Sequence, residues 1–400
     1  MKPPESRWRL LAMIVVLVGA LTLAACGSND SGDATNASTD SQQTTIASSD
    51  PGSAARPLSR RFDPNAPAGQ APNLPKVIAH SLPSDAPLFE RLQKGIEAGA
   101  EAHGLQTISA NADGDPAKQV AQLEGFLQRG VGAIVVTPTD PKAIQDVLQR
   151  AIDQGIAVFG FNVEPATDFG GADQYSIGHA AGLDAAKFIE EKLGGRAEVA
   201  ILHEDSYQPL IARHQGWKDG VLTAGSGVHI VFEAEPKKLT AEAAADAMNT
   251  ALQAHPGINV VLSTGFGAFG ALSALEAAGK DPATTYVSGN DGDAPNLAEL
   301  KKPNSLYKAD FAYSLEAGGY AWATFAADWL DGKSIPQVTS YKEVPLTSPA
   351  ALRAFETLTS DPAKAWENRD QYLQFLGNIS WETRKNYINY PWAPVHPASK

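Results

Sequence analysis

Beyond its first seventy-five residues the chain alternates two hydrophobic rhythms. Short, nearly continuous apolar runs rich in Val and Ile recur at 77–82, 133–138, 157–161, 199–203, 228–232, 259–264 and 285–289. Between them apolar residues return every three or four positions. The clearest case sets Ile144, Val147, Leu148, Ala151 and Ile152 on one face, the stripe of an amphipathic helix. Segment 87–103 does the same with Leu88, Leu92 and Ile96. Strands that lack an in-out alternation are buried on both faces, as in parallel sheets covered by helices. About ten such units exceed one comfortable sheet. The pattern therefore predicts an α/β protein built from two doubly wound parallel-sheet lobes. In such sheets ligands bind beyond the carboxyl ends of the strands, so the residues just after each apolar run are the ones to inspect.

The N-terminus follows another pattern. Lys2, Arg7 and Arg9 precede an apolar run at 10–23, too short to cross a bilayer comfortably and typical of an export signal. It ends in Leu23-Ala24-Ala25-Cys26-Gly27, which resembles the lipobox of bacterial lipoproteins, where the cysteine is acylated after cleavage of the signal. Cys26 is the single cysteine of the chain, so neither an internal disulfide nor a cysteine-based zinc site is available. Residues 1–26 are thus expected to be a lipoprotein signal peptide. Residues 27–75, rich in Ser, Asp, Thr and Asn and then in Pro and Ala, bury too little apolar surface to order themselves; they are expected to be a disordered tether spanning about 40 Å.

Composition narrows the function. With 43% hydrophobic and 19% charged residues the body has material for a core. A net charge of −13 argues against nucleic-acid binding, because phosphates must be met by Lys and Arg.

The strand ends carry chemistry. In order they read Ser84-Asp85-Ala86-Pro87-Leu88-Phe89, Thr137-Pro138-Thr139-Asp140, Phe161-Asn162, Asp173-Gln174, Arg213-His214-Gln215-Gly216-Trp217, Ser263-Thr264-Gly265, Gly289-Asn290-Asp291-Gly292, Lys308-Ala309-Asp310 and Glu316-Ala317-Gly318. Across residues 76–345 this ordered set resembles the type I periplasmic binding proteins, especially the ribose- and galactose-binding group that feeds ABC transporters. The resemblance implies two lobes joined by a three-strand hinge that closes on ligand. It places lobe one at 76–173 plus 312–335 and lobe two at 174–311 plus 336–345. The crossings then fall near Asp173-Gln174, 310–313 and 334–337, and 346–400 is left as an extension packed on a lobe.

The resemblance also implies a ligand set. Phe89 matches an aromatic that stacks on a sugar ring, Asn162 a carboxylate after the fourth strand, and Arg213 a guanidinium that holds ring or hydroxyl oxygens. Asp291 matches an acid that accepts sugar hydroxyls, and Asp310 falls at the last polar ligand. Asp85 and Thr264 stand at the remaining strand ends. Planar Asp, Asn and Arg suit adjacent hydroxyls, and aromatic faces suit the C–H patches of a ring. The sequence departs from the group at Ala86, Val163 and Thr264-Gly265, with Phe266 and Trp217 available to fill the space. These departures point away from ribose and toward another sugar, polyol or small polar ligand.

Three further patterns are weaker. Gly265 to Gly270 spells GxGxxG after a strand, the outline of a dinucleotide site, but Phe266 and Phe269 crowd a pyrophosphate. His203-Glu204-Asp205 offers metal-type donors with no companion cluster in sequence. Asn378-Ile379-Ser380 has the form of a glycosylation acceptor, which a bacterial lipobox discounts. The expectation is therefore a binding protein without cofactor or metal, partnered by a sugar-like ligand, an ABC permease and, through Cys26, a membrane. A ligand-presenting sensor of the same fold is the alternative, and an exported NAD-dependent oxidoreductase a more distant one.

Overall fold

The computed structural model describes residues 61–238 and 240–380. The expected signal peptide, Cys26 and residues 27–60 lie outside this range. The described chain builds two parallel-dominated sheets, each flanked by helices.

Lobe one is a seven-stranded sheet of order β13-β11-β5-β4-β3-β1-β2. Its strands are β1 (Val77–Leu82), β2 (Gln106–Asn111), β3 (Ala133–Val136), β4 (Ala157–Phe161), β5 (Asp168–Ala172), β11 (Val338–Tyr341) and β13 (Leu373–Leu376). All run parallel except β13. Lobe two is a six-stranded sheet of order β12-β10-β9-β8-β6-β7. It contains β6 (Ala197–Leu202), β7 (Val228–Ala234), β8 (Ile258–Ser263), β9 (Tyr286–Asp291), β10 (Tyr307–Ala312) and the antiparallel β12 (Val344–Leu346). The seven apolar runs read from the sequence fall on β1, β3, β4, β6, β7, β8 and β9. Escaping that reading, β2 is a mostly exposed edge strand and β5 is the glycine-bearing Asp-Phe-Gly-Gly-Ala.

Helices follow the strands as the caps dictate. Asp115 and Asp140 accept backbone N–H groups at the starts of α2 (Pro116–Arg129) and α3 (Pro141–Asp153), each with proline in its first turn, where the ring costs no hydrogen bond. Two other helix pairs pack unusually closely. In lobe one α1 (Pro87–His103) meets α9 (Leu315–Leu330) at Gly95, where an added Cβ would lie 2.2 Å from the Glu316 carbonyl oxygen. In lobe two α4 (Gln174–Leu193) meets α5 (Pro209–Val221) at Gly178, where an added Cβ would lie 2.0 Å from the Arg213 carbonyl oxygen. No side chain fits at either position, and these contacts set the helices that carry the two cleft arginines.

Lobe two is completed by α6 (Ala241–Ala254), α7 (Gly265–Ala277), α8 (Ala294–Leu300) and α10 (Pro349–Thr359), while α11 (Pro362–Glu367) packs on α9 and α1 of lobe one. The chain passes between lobes after Ala172, after Ala312, after Tyr341 and again between α10 and α11. Two expectations are corrected here. The third crossing lies not near 334–337 but at Lys342-Glu343. Here β11 belongs to lobe one, paired with β5 and β13, and its Thr339 hydroxyl donates to the buried Asp168 carboxylate at 2.8 Å. The tether also ends earlier than 75. Phe62 N–H donates to the Phe375 carbonyl at 2.9 Å and its ring meets Phe325 edge-on, while Gly69 N–H reaches the Gly332 carbonyl at 2.6 Å. An average over a long polar segment hid these few anchoring residues.

The extension at 346–380 packs back through an aromatic cluster in which Trp366 and Phe375 meet Phe325, and Trp366 stacks on Tyr320. No helix among the described residues is long and apolar enough to cross a membrane.

Candidate ligand-binding cleft

Each lobe has its topological switch point between its first and second neighbouring strands, β1/β3 in lobe one and β6/β8 in lobe two. Doubly wound sheets bind ligands there, where loops diverge to opposite faces.

In lobe one Gln119 ties the two strand ends together. Its Nε2 donates to Ser81 Oγ at 3.1 Å and to the Thr137 carbonyl at 2.8 Å, and its Oε1 accepts the Thr139 N–H at 2.7 Å. The buried hydroxyls of Thr137 and Thr139 have no hydrogen-bond partner among the described residues. Asp85 is exposed and Phe89 half-buried in the neighbouring β1–α1 turn. Asn162 follows β4 with a φ of 53°, a left-handed conformation that Asn tolerates better than most residues. Its side chain hydrogen-bonds the Tyr207 phenol, which follows β6 of lobe two and whose pKa burial pushes up to about 12. This contact crosses from lobe to lobe.

In lobe two Arg213 is buried on α5. Its Nε and Nη2 donate to Gln174 Oε1 at 2.9 and 2.6 Å, and Nη2 also donates to the Tyr313 phenol at 2.7 Å. Gln174 opens α4 just after the first crossing, and Tyr313 lies in the second, so Arg213 is tied to both hinge segments. Thr264, at the end of β8, donates its hydroxyl to Glu204 Oε1. Asp291 ends β9 with a φ of 86°. Its Oδ2 lies 3.3 Å from where a Cβ on Gly265 would stand, over the start of α7. Burial raises its pKa, while Arg213 and Arg91 pull it back. Glu204 is raised by burial, eased by Thr264.

The structure thus gathers Arg213, Thr264 and Asp291 in lobe two and carries Asn162 toward them. It does not bring Asp310 to the cleft. That carboxylate is fully buried below the β9–α8 turn, accepting from Gly292 N–H at 2.9 Å, Asn296 Nδ2 at 2.9 Å and the Tyr307 phenol at 2.6 Å. It props the Gly-Asn-Asp-Gly turn, and burial raises its pKa to about 6 despite its donors. Trp217 does not fill the cleft either; it is 1% exposed in the core.

Sequence reasoning missed Arg91, Tyr207, Tyr313 and Glu343, and it gave Gln174 and Glu204 no part in the cleft. Arg91 rises from α1 of lobe one and reaches across. It donates to Glu316 Oε1 and Oε2 at 2.8 and 3.1 Å, to the Tyr313 carbonyl at 2.6 Å and to the Asp291 carbonyl at 2.5 Å, and lies 3.5 Å from Asp293. Only its place one helical turn into α1 hinted at this. Glu343, in the third crossing, is held up to about 8 by burial, against the pull of Arg213. Asp293 is held up to about 7 by burial and by Asp291.

These shifts make a pH prediction. A carboxyl whose pKa is higher folded than unfolded stabilises fully below its unfolded pKa, and that contribution is lost as pH rises through the folded value. From ordinary values of 4.5 for Glu343 and 3.8 for Asp293 up to about 8 and 7, the window runs between about pH 4 and pH 8. The ligand-free protein is expected to melt at progressively lower temperature across it, and Glu343→Gln to flatten the trend. Melting curves at pH 5, 6, 7 and 8 that coincide for the two proteins would contradict this assignment.

Two doubly wound lobes, facing switch points, repeated crossings and a polar cleft define the class of hinged solute-binding proteins. The chain belongs to the periplasmic binding protein domain family, whose model matches residues 78–334. It is similar to the ribose import binding protein of Bacillus subtilis (strain 168), with 31% identity over 264 residues, 64% of this chain and 81% of that protein. In fold it is similar to the Caulobacter myo-inositol binding protein, with a TM-score of 0.60 and 24% identity, covering 70% of this chain and 95% of that one. It also resembles the 5-methylthioribose transporter solute binding protein of Thermotoga lettingae, with a TM-score of 0.62 and 23% identity, covering 79% and 98%.

Proposed function

We propose that this protein captures a sugar or sugar-like polar small molecule between its lobes and delivers it to an ABC permease. The observation that carries the reading is the clustering of the Arg213 guanidinium with the Asp291 and Glu204 carboxylates, whose charge it offsets, at the switch point of lobe two, together with Asn162 and the unpartnered Thr137 and Thr139 hydroxyls at the strand ends of lobe one. Ionised carboxylates only accept hydrogen bonds and a guanidinium only donates. A ligand bearing several hydroxyls satisfies both, whereas an apolar ligand satisfies neither. Phe89 and Phe266, half-buried at strand ends, are available to cover the ring faces. The ribose-binding relative supports the sugar class, and the departures at Ala86, Val163 and Thr264-Gly265 argue for a sugar or polyol other than ribose.

The glycine-rich loop fits a binding protein better than a nicotinamide enzyme. A Cβ on Gly267 would lie 1.9 Å from Ser263 Oγ, and one on Gly270 2.3 Å from the Ala241 carbonyl oxygen. These glycines serve the packing of α7.

A thermal-shift screen of pentoses, hexoses, inositols and linear polyols tests the reading. Ligand at a hundred times its dissociation constant adds about 2.7 kcal/mol, which raises the melting temperature by roughly 4 °C. A screen in which no sugar or polyol moves the midpoint while amino acids or nucleosides do would refute the ligand class.

The protein is further proposed to be exported and held at the membrane by acylated Cys26, as the sole cysteine at the lipobox position supports. Replacing Cys26 with Ser is expected to move the protein into the soluble fraction of disrupted cells. Retention in the membrane fraction would reject the anchor.

A further inference from the structure

Around the loop that presents Glu204, three side chains converge. His203 and Asp205 flank Glu204 after β6, and His214 follows Arg213 on α5. The sequence displays the first two side by side; only the packing of α5 against the β6 loop brings in the third. His203 Nδ1 lies 3.2 Å and His214 Nδ1 3.0 Å from Asp205 Oδ2, and the three donor atoms all lie within 4.8 Å of one another. We propose that this cluster is a binding site for a divalent transition-metal ion of the zinc–nickel type, with His203 Nδ1, His214 Nδ1 and Asp205 Oδ2 as its protein ligands.

Three observations support it. Donors bound to one tetrahedral zinc at 2.0–2.1 Å stand roughly 3.3 Å from one another, close to both nitrogen–oxygen separations here. His203 Nδ1 is buried and makes no hydrogen bond despite its distance to Asp205, and Asp205 Oδ1 is likewise buried without a partner. The 3.2 Å approach is therefore not a hydrogen bond that already accounts for the pair. His214 is also backed as metal-bound imidazoles usually are, because its other nitrogen, Nε2, meets Glu233 at 2.8 Å. Such a carboxylate fixes the tautomer and strengthens the ligand nitrogen. Glu233 is itself held by Lys218 at 2.8 Å.

The rings of His203 and His214 stack 4.3 Å apart and within 8° of parallel. Metal entry requires them to tilt until their Nδ1 lone pairs converge, and it displaces the proton that His214 shares with Asp205. Two imidazoles and one carboxylate favour zinc, nickel or copper over calcium, which demands six to eight oxygens.

The test is calorimetry of the untagged, chelator-stripped chain with Zn²⁺ at pH 7.5, supported by the visible absorption of Co²⁺. The expected result is one ion per chain with a dissociation constant in the micromolar range or tighter. The variants H203Q, H214Q and D205N are each expected to weaken binding at least tenfold, with unchanged circular dichroism. The proposal is overturned if the parent chain binds no stoichiometric ion. It is equally overturned if folded H203Q, H214Q and D205N bind as the parent does, which would assign the ion to other histidines. None of these outcomes depends on which solute the cleft takes.

Discussion

Asp291→Asn and Arg213→Ala are each expected to weaken binding of the sugar identified by screening by ten- to over a hundredfold. A hydrogen bond to a charged group contributes about 1.5–3 kcal/mol, and each 1.4 kcal/mol is a factor of ten in affinity. Asparagine is the appropriate replacement at 291, because the φ of 86° strains a residue such as alanine whereas Asn tolerates the left-handed region. Removing Arg213 has a second effect. Asp291, Glu204 and Glu343 all feel its charge, and without it burial drives them further toward the protonated form. The two substitutions share one electrostatic neighbourhood, so the double variant should lose less than the sum. Calorimetry on variants with native circular dichroism decides the matter. Parental affinity in both folded variants would place the ligand elsewhere, whatever the fold.

The largest loss of stability is expected from Arg91→Ala. The Arg91, Glu316 and Asp293 side chains are only 15%, 7% and 10% exposed. Deleting one partner of a buried ion pair typically costs about 3–5 kcal/mol, because the other charge is left without compensation. For a chain of this size that lowers the melting temperature by roughly 4–7 °C. Arg91 also binds the Asp291 and Tyr313 carbonyl oxygens from the opposite lobe and the hinge, so its loss should open the cleft. Small-angle scattering should then show a larger radius of gyration for ligand-free Arg91→Ala than for the parent. A melting temperature within a degree or so of the parent, together with an unchanged radius, would remove Arg91 as an interlobe latch.

The two arginines have a common architectural origin. Each lies on the helix that follows the first strand of its lobe, and each of those helices is drawn against a crossing helix through glycines. Gly95 lies on Glu316 of α9, and Gly178 of α4 lies on Arg213 of α5. Glycine pairs four residues apart, Gly95/Gly99, Gly178/Gly182 and Gly216/Gly220, were the signal by which the sequence could have announced these close contacts. Read together with the crossings, they would have pointed to Arg91 as well as Arg213.

What the sequence determined by itself is whatever depends on local order. Continuous apolar runs and 3.6-residue stripes specify buried strands and covering helices, because the burial of each run is decided by its own composition. The ordered strand-end motifs, through their resemblance to a known group, indicated the type of lobe and four residues that the fold brings near one another, Asn162, Arg213, Thr264 and Asp291. Tertiary structure decided the rest. Asp310 reads like a ligand-contacting acid, yet three donors from residues 292, 296 and 307 claim it, and no local pattern reveals how many donors a buried carboxylate will meet. β11 could follow either lobe by its composition; pairing with β5 and β13 assigned it to the first. His214 joins His203 and Asp205, and Tyr207 joins Asn162, only because helices and loops distant in sequence are packed to a common surface. The energies that select those meetings are spread over whole interfaces, which a one-dimensional pattern does not contain.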